Sequence, residues 1–471
     1  MDEQELCFTS AVDLARLVRE RHISPVDIMR SLVRRIERVN PGLNALCTLT
    51  LDAALDEAKV AEQRVMQPGE TLGPLHGVPC SIKDVTATRG VRTTLGSRLY
   101  AENVPTEDAP IVERLKAAGA LVIGKTNTPE LGWKGATDNL LFGASRNPWD
   151  ATKTPGGSSG GAAAAVASGL GPLATGTDGA GSIRIPASFC GIGGYKPSFG
   201  RVPNYPPSAA ELVAHAGPMT RTVRDAALML DVMAGPDERD RSSLPGADVN
   251  YLHDCDGGIA GLRVAWSATL GFSPIEPAVR DIVERAARSF GALGCSVEAE
   301  DPGFPDPGEA LSLLFYSGVG ARVTQGHPEW RSLIDPGLTR AVDQYRHASA
   351  FDVAGALFTR ARVWDAMRTF FDRYDLLLTP TMPLTAFPLG KDFPETVAGQ
   401  CRPNLLWTPF TYVFNLTGQP AITVPCGWSS EGLPVGLQIV GRRYDDATVL
   451  RAARAFEQLQ PWADRRPPVD G

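Results

Sequence analysis

A chain of 471 residues has room for one large domain or up to three ordinary ones, with ample core to bury. Its formal net charge of −7 argues against a nucleic-acid-binding face spread over the surface. The acidic start, MDEQELCFTS, lacks the apolar core of a signal peptide, and no uninterrupted apolar run reaches the ~18 residues of a membrane span, so a cytoplasmic location is expected. Eight cysteines stand singly at 7, 47, 80, 190, 255, 295, 401 and 426, with no metal-ligand spacing, and read as small buried hydrophobes; no metal or cofactor is expected. Among 46 basic residues only eight are lysine, so a lysine in an apolar setting stands out, being the one that readily loses its proton.

In chain order, Ser24-Pro25 with Asp27 is a capped helix start, and Met29, Leu32, Val33 and Ile36 keep helical spacing. Residues 1–65 are expected to be a helical segment packing on a core domain over 66–471. At 72–85, LGPLHGVPCSIKDV, a turn leads into a short strand that ends near Lys83. Taken alone, that lysine would be a solvated surface residue. A helix over 111–118 and a strand over 120–123 set a βα rhythm and imply an α/β protein.

The stretch 154–186, TPGGSSGGAAAAVASGLGPLATGTDGAGSIRIP, organises the rest. Glycines at 156, 157, 160 and 161 let Ser158 and Ser159 sit on an unusually shaped loop, and the alanine run over 161–170 predicts a helix behind it. A strand over 173–177 then feeds a turn, Asp178 to Ser182, at the start of another helix. Ser182 is thus expected among unpartnered N–H groups that suit an oxyanion. Beyond it, 190–201 reads as a glycine-rich turn, 223–233 as an amphipathic helix, and 236–400 as a variable region. That region holds strands over 262–266 and 296–298 around a helix at 277–293, and a long helical section over 311–371. A buried strand at 374–380, strands at 421–425 and 435–440, and a closing helix from 445 complete the chain.

GPLHGVPCSIKD, GGSSGGAAAAVASG and GTDGAGSIRIPASFCG, with GKTNTPELG, NLTGQPAITVPCG and GLPVGLQIVG, resemble the amidase signature family. The resemblance implies a single α/β domain with a large mixed β-sheet sandwiched by α-helices. It also implies a Ser-cisSer-Lys triad: Lys83 as base, Ser158 as the bridging serine of a cis peptide after Gly157, and Ser182 as nucleophile. Backbone N–H groups of Gly179, Ala180, Gly181 and Ser182 would form the oxyanion hole, and Ser159, Thr177, Asp178 and Arg184 would brace the loops. Ala180 stands where the family often has glycine, and is read as a tolerated variant.

A lysine desolvated beneath a sheet edge can be neutral near pH 7 and so draw a proton from serine, which makes the assignment chemically coherent. The activity implied is hydrolysis of small apolar or aryl amides, anilides or carbamates through an acyl-enzyme. The expected partner is the amide substrate, with no nucleic acid and no membrane, and a homodimer compatible with the chain. Aromatic residues that could line the pocket are Trp133, Phe142, Phe189, Phe315, Tyr316, Trp407 and Phe410.

Other readings compete. Residues 119–126, GALVIGKT, fit the phosphate-loop pattern, although their middle is strand-like and Pro129 interrupts the helix that should follow. Gly157 to Gly161 also fit the GxSxG elbow of a serine esterase, with Ser159 as nucleophile and a base from His215, His253, His327 or His347. Within the family, the rival is the glutaminase subunit of a tRNA-dependent amidotransferase, which would need partner chains.

Overall fold

The structure, a computed structural model, describes residues 2–469. Three helices open it, α1 (Glu3–Phe8), α2 (Ala11–Arg19) and α3 (Pro25–Leu43), each entered through a side chain that accepts a backbone N–H: Asp2, Ser10 and Ser24. Strand β1 (Leu46–Leu49), α4 (Leu51–Met66), β2 (Pro79–Lys83), α5 (Pro110–Ala117) and β3 (Leu121–Thr126) follow. A two-stranded ribbon, β4 (Asp138–Asn139) and β5 (Gly143–Ala144), precedes α6 (Gly160–Ala167), β6 (Leu173–Asp178), α7 (Arg184–Cys190), β7 (Gly193–Lys196), β8 (His215–Thr220) and α8 (Val223–Met233). The second half runs through α9 (Tyr251–Asp254), β9 (Arg263–Trp266), α10 (Pro277–Arg288), β10 (Ser296–Ala299), α11 (Gly308–Thr324), α12 (Trp330–Leu333), α13 (Pro336–Tyr345) and α14 (Ala350–Arg373). It closes with β11 (Leu376–Pro380), α15 (Pro409–Thr417), β12 (Ala421–Trp428), β13 (Pro434–Gly441) and α16 (Asp446–Leu459).

Among the described residues eleven strands form one sheet, in the order β1-β3-β2-β6-β8-β7-β12-β13-β11-β9-β10. It is mixed: β2 runs parallel to both β3 and β6, whereas β8, β7, β12 and β13 meet their neighbours antiparallel. Side chains alternate across a strand, and the two largest cores divide by that alternation. Leu376, Leu378, Ile422, Val424, Leu437 and Ile439 join one core, with residues of α8, α10 and α16. Leu377, Ala421 and Val440 join the other, with α11, α13, α14 and α15. The sheet therefore lies between two helical layers, as expected. No helix among the described residues is long and apolar enough to cross a membrane.

Three departures from expectation concern strands. The 1–65 segment is not all helical, because Leu46–Leu49 pairs antiparallel with β3 at the sheet edge. The turn expected over 190–201 contains β7, and the unassigned HAGPMT is β8, flanked by β6 and β7 in the middle of the sheet. The phosphate-loop match fails for a physical reason: its Leu121 to Thr126 portion is strand β3, with no loop to cradle a phosphate. Its Lys125 amine is buried and donates to the Thr86 carbonyl and the Thr88 and Thr93 hydroxyls.

Candidate active site

Parallel strands β2 and β6 deliver their C-terminal ends to one edge of the sheet, where clefts form in α/β proteins. Lys83 is the last residue of β2 and is completely buried. Its Nζ lies 2.7 Å from Ser158 Oγ and 2.9 Å from Thr177 Oγ1. Burial pulls the amine from its ordinary value of 10.5 down to about 7, against the upward pull of the Asp178 carboxylate.

Ser158 stands on the loop before α6, and the Gly157–Ser158 peptide is cis. Gly157 is required by close approach, since a Cβ there would lie 2.7 Å from the Ala136 carbonyl oxygen. Ser182 precedes α7 on the loop that leaves β6. The Ser158 and Ser182 side chains share one cavity of about 350 Å³, and among the described residues no hydrogen bond yet joins their hydroxyls.

Asp178 governs the Ser182 loop. Its carboxylate pairs with Arg184 at 2.9 and 3.0 Å, and both side chains are wholly buried. Burial pushes the Asp178 carboxyl up, but the Arg184 charge and its hydrogen bonds outweigh that and hold it well below the ordinary carboxylate range. Arg184 also donates to Gln438 Oε1 at 2.7 Å and Asn415 Oδ1 at 2.6 Å.

The same carboxylate corrects the expected oxyanion hole. Gly181 N–H donates to Asp178 Oδ1 at 2.7 Å, and Ile183 N–H to Oδ2 at 3.2 Å, so Gly181 is engaged elsewhere. Among the described residues the N–H groups of Gly179, Ala180 and Ser182 have no acceptor. Alanine at 180 fits because the left-handed angle falls on its neighbour, Gly181, with φ +122°.

Thr177 and Ser159 contact the two loops. Thr177 accepts from Lys83, while Ser159 N–H donates to the Ser182 carbonyl at 3.1 Å and Ser159 Oγ meets the Thr177 backbone at 3.3 Å. Ser159 is therefore sealed behind the Ser182 loop and does not line the cavity that Ser158 and Ser182 share, against the GxSxG reading. Among the described residues no histidine meets it: His215 Nδ1 lies 2.9 Å from the Val213 carbonyl, and burial holds this imidazole well below its ordinary range, hence neutral.

The aromatic pocket is largely corrected. Phe315 lines the cavity, but Trp133, Phe142, Phe189, Tyr316, Trp407 and Phe410 do not. Trp133, Tyr316 and Phe410 fill the core beneath α11 and α15, Trp407 stacks on Phe189 with centroids 6.3 Å apart, and Phe142 lies under the Arg92 guanidinium. The walls instead mix apolar residues such as Ala87, Ala109, Ile111 and Ala216 with polar Asn103, Thr106 and Asn204 and two aromatic rings not foreseen, Tyr100 and Tyr205; exposed Glu107 and half-buried Arg322 are the charged groups besides Asp178. Sequence reasoning missed Asn415 and Gln438; the available signal was a lone amide inside the apolar run VGLQIVG.

Among known proteins, the Amidase family model matches residues 27–450. An acylamidase of Rhodococcus erythropolis is 42% identical over 99% of this chain and 98% of its own length. A glutamyl-tRNA(Gln) amidotransferase subunit of Moorella thermoacetica is 39% identical over 98% of this chain and 99% of its own. The crystal structure of a bacterial aryl acylamidase of the amidase signature enzymes superimposes with a TM-score of 0.92 at 35% identity, covering 97% of each chain.

Proposed function

The chain belongs to the amidase signature family, and from that premise we propose that it hydrolyses small apolar or aryl amides, with anilides and carbamates in the same class, through an acyl-enzyme on Ser182. It is an amidase, a hydrolase of carbon–nitrogen bonds other than peptide bonds. The observation that carries the mechanism is a fully buried amine, Lys83, hydrogen-bonded to a serine on the wall of the cavity that also holds Ser182.

Neutral Lys83 takes the Ser158 proton while Ser158 takes that of Ser182, whose Oγ attacks the amide carbonyl. The two serine hydroxyls close on each other when the acyl group is seated, since catalytic hydrogen bonds often tighten only in the complex. The N–H groups of Gly179, Ala180 and Ser182 receive the negative oxygen. Loss of one such donor typically costs about 3 kcal/mol of transition-state stabilisation. On collapse the C–N bond breaks, Ser158 protonates the departing amine, and Lys83 returns the proton to Ser158. Water then repeats the relay against the acyl-serine ester and releases the acid.

The cavity, about 350 Å³, lies at the small end of ligand pockets. Its alanine, isoleucine and Phe315 surfaces, with the rings of Tyr100 and Tyr205, favour an uncharged acyl or aryl group, while Asn103, Thr106 and Asn204 leave room for polar atoms on it. The rival reading, a glutaminase component of an amidotransferase, is separated by assaying the purified chain alone on short aliphatic amides, anilides, aryl carbamates and glutamine. Turnover of anilides or aryl amides without other chains is expected; turnover of glutamine only, and only with added partner subunits, would overturn the proposal.

A further inference from the structure

Helix α15 lies behind the nucleophile loop and presents two buried polar side chains one turn apart. Thr411 Oγ1 donates to the Ala180 carbonyl at 2.7 Å, and Asn415 Nδ2 donates to the Asp178 carbonyl and to Asp178 Oδ1, both at 2.8 Å. Residues four apart on a helix share a face, so one rigid element grips two alternate peptide groups of the loop. We infer that Thr411 and Asn415 are positioning residues that set the direction of the oxyanion N–H groups, and this rests on the amidase mechanism proposed above.

In a planar trans peptide the C=O and N–H point in opposite directions. With the Asp178 carbonyl turned toward Asn415, the Gly179 N–H turns away from α15. With the Gly181 carbonyl held by the Ile185 N–H at 2.7 Å, the Ser182 N–H turns away from α7. Among the described residues the peptide between Gly179 and Ala180 is bonded at neither end, so its orientation is inherited from the two neighbouring peptides that α15 clamps.

Thr411 is fitted to this task. A Cβ on Gly181 would lie 2.3 Å from Thr411 Oγ1, so the hydroxyl occupies the space that glycine leaves. Thr411 Oγ1 has a second acceptor, the Thr408 carbonyl at 3.0 Å, but Ala180 is nearer. Thr408 is no substitute: its hydroxyl donates to the Leu405 carbonyl at 2.8 Å and lies 3.5 Å from that of Ala180.

The test compares Thr411→Ser, Thr411→Cys and Thr411→Val, with kcat expressed per active site titrated by the acyl burst. Displacement of the N–H groups predicts a kcat loss on the order of 10²-fold for Val with KM within about twofold, Cys intermediate, and Ser within about threefold of the parent enzyme. Phosphonylation of Ser182 by a fluorophosphonate, whose oxygen takes the oxyanion position, should slow in the same order. The pH at half-maximal kcat/KM should not move. Equal losses in the Ser and Val variants, a change confined to KM, or a shifted pH midpoint would overturn the inference. Should Val not fold, the Ser–Cys pair decides by the same order. Failure of the mechanism itself would appear separately, as a fluorophosphonate adduct on some residue other than Ser182 in the unaltered enzyme.

Discussion

The Lys83 amine is held between two hydroxyls, with Ser158 Oγ at 2.7 Å, and no carboxylate forms an ion pair with it among the described residues. An ammonium in that position would be solvated only by hydroxyls. Burial therefore lowers its proton affinity, to about 7, into the range where a general base works best at neutral pH.

Activity should follow that titration. Only the neutral amine accepts a proton, so kcat/KM is expected to rise with unit slope as pH climbs toward about 7 and to level off above it. Lys83→Met should remove the step and lower kcat by roughly 10²- to 10⁴-fold, the range for loss of a general base. A pH–rate profile of both enzymes on one anilide checks this.

Stability should rise with pH as well, but in a higher window. The folded-state value of about 7 lies below the ordinary 10.5, so between these limits the unfolded chain binds more protons, and stability rises with pH across that window. In Lys83→Met this contribution vanishes. Urea unfolding at pH 7 and pH 9 should show a larger gain for the parent enzyme than for the variant.

Breaking the Asp178–Arg184 pair should be costly in a different way. Arg184→Met leaves a wholly buried carboxylate with its N–H and amide donors but without its counter-charge, with an expected loss of about 3–5 kcal/mol in chemical unfolding. In the parent enzyme the depressed Asp178 pKa adds stability that is present above the ordinary 3.8 and lost as pH falls below it. That acid-labile share should be missing from the variant.

Gly181→Ala tests the close approach of α15 to the loop. The added methyl would meet Thr411 Oγ1 at 2.3 Å, at a φ of +122° that side chains avoid. Strain of this kind costs on the order of 1–3 kcal/mol. Activity should fall together with melting temperature, whereas Gly246→Ala, which meets nothing within 4 Å, should leave both unchanged.

What the sequence disclosed follows from how local each determinant is. The alanine-rich α6 was legible because helix propensity acts within a few residues, whereas Lys83, read alone as a solvated surface lysine, is buried at the end of β2, and it was the family resemblance that singled it out with Ser158 and Ser182. Strand β8 was not legible: Gly217 and Pro218 are poor strand formers, and the segment is a strand because β6 and β7 flank it. Gly217 is even required there, since a Cβ would lie 2.1 Å from the Tyr195 carbonyl oxygen. The aromatic candidates failed for a related reason. Whether Trp133 or Trp407 faces a cavity or a core is decided by helices more than 180 residues away in one case and by Phe189 in the other, not by the neighbours in sequence. The role of Gly181 depended on which acceptor its N–H meets, a fact fixed by the orientation of Asp178 and by the hold of Thr411 on the Ala180 carbonyl.

The most direct measurement is to inactivate the enzyme with a fluorophosphonate and map the adduct by peptide mass spectrometry. The mechanism predicts one adduct, on Ser182, that forms faster as pH rises through about 7 and is absent from Ser182→Ala. An adduct on Ser159, or undiminished hydrolysis by Ser182→Ala, would contradict it.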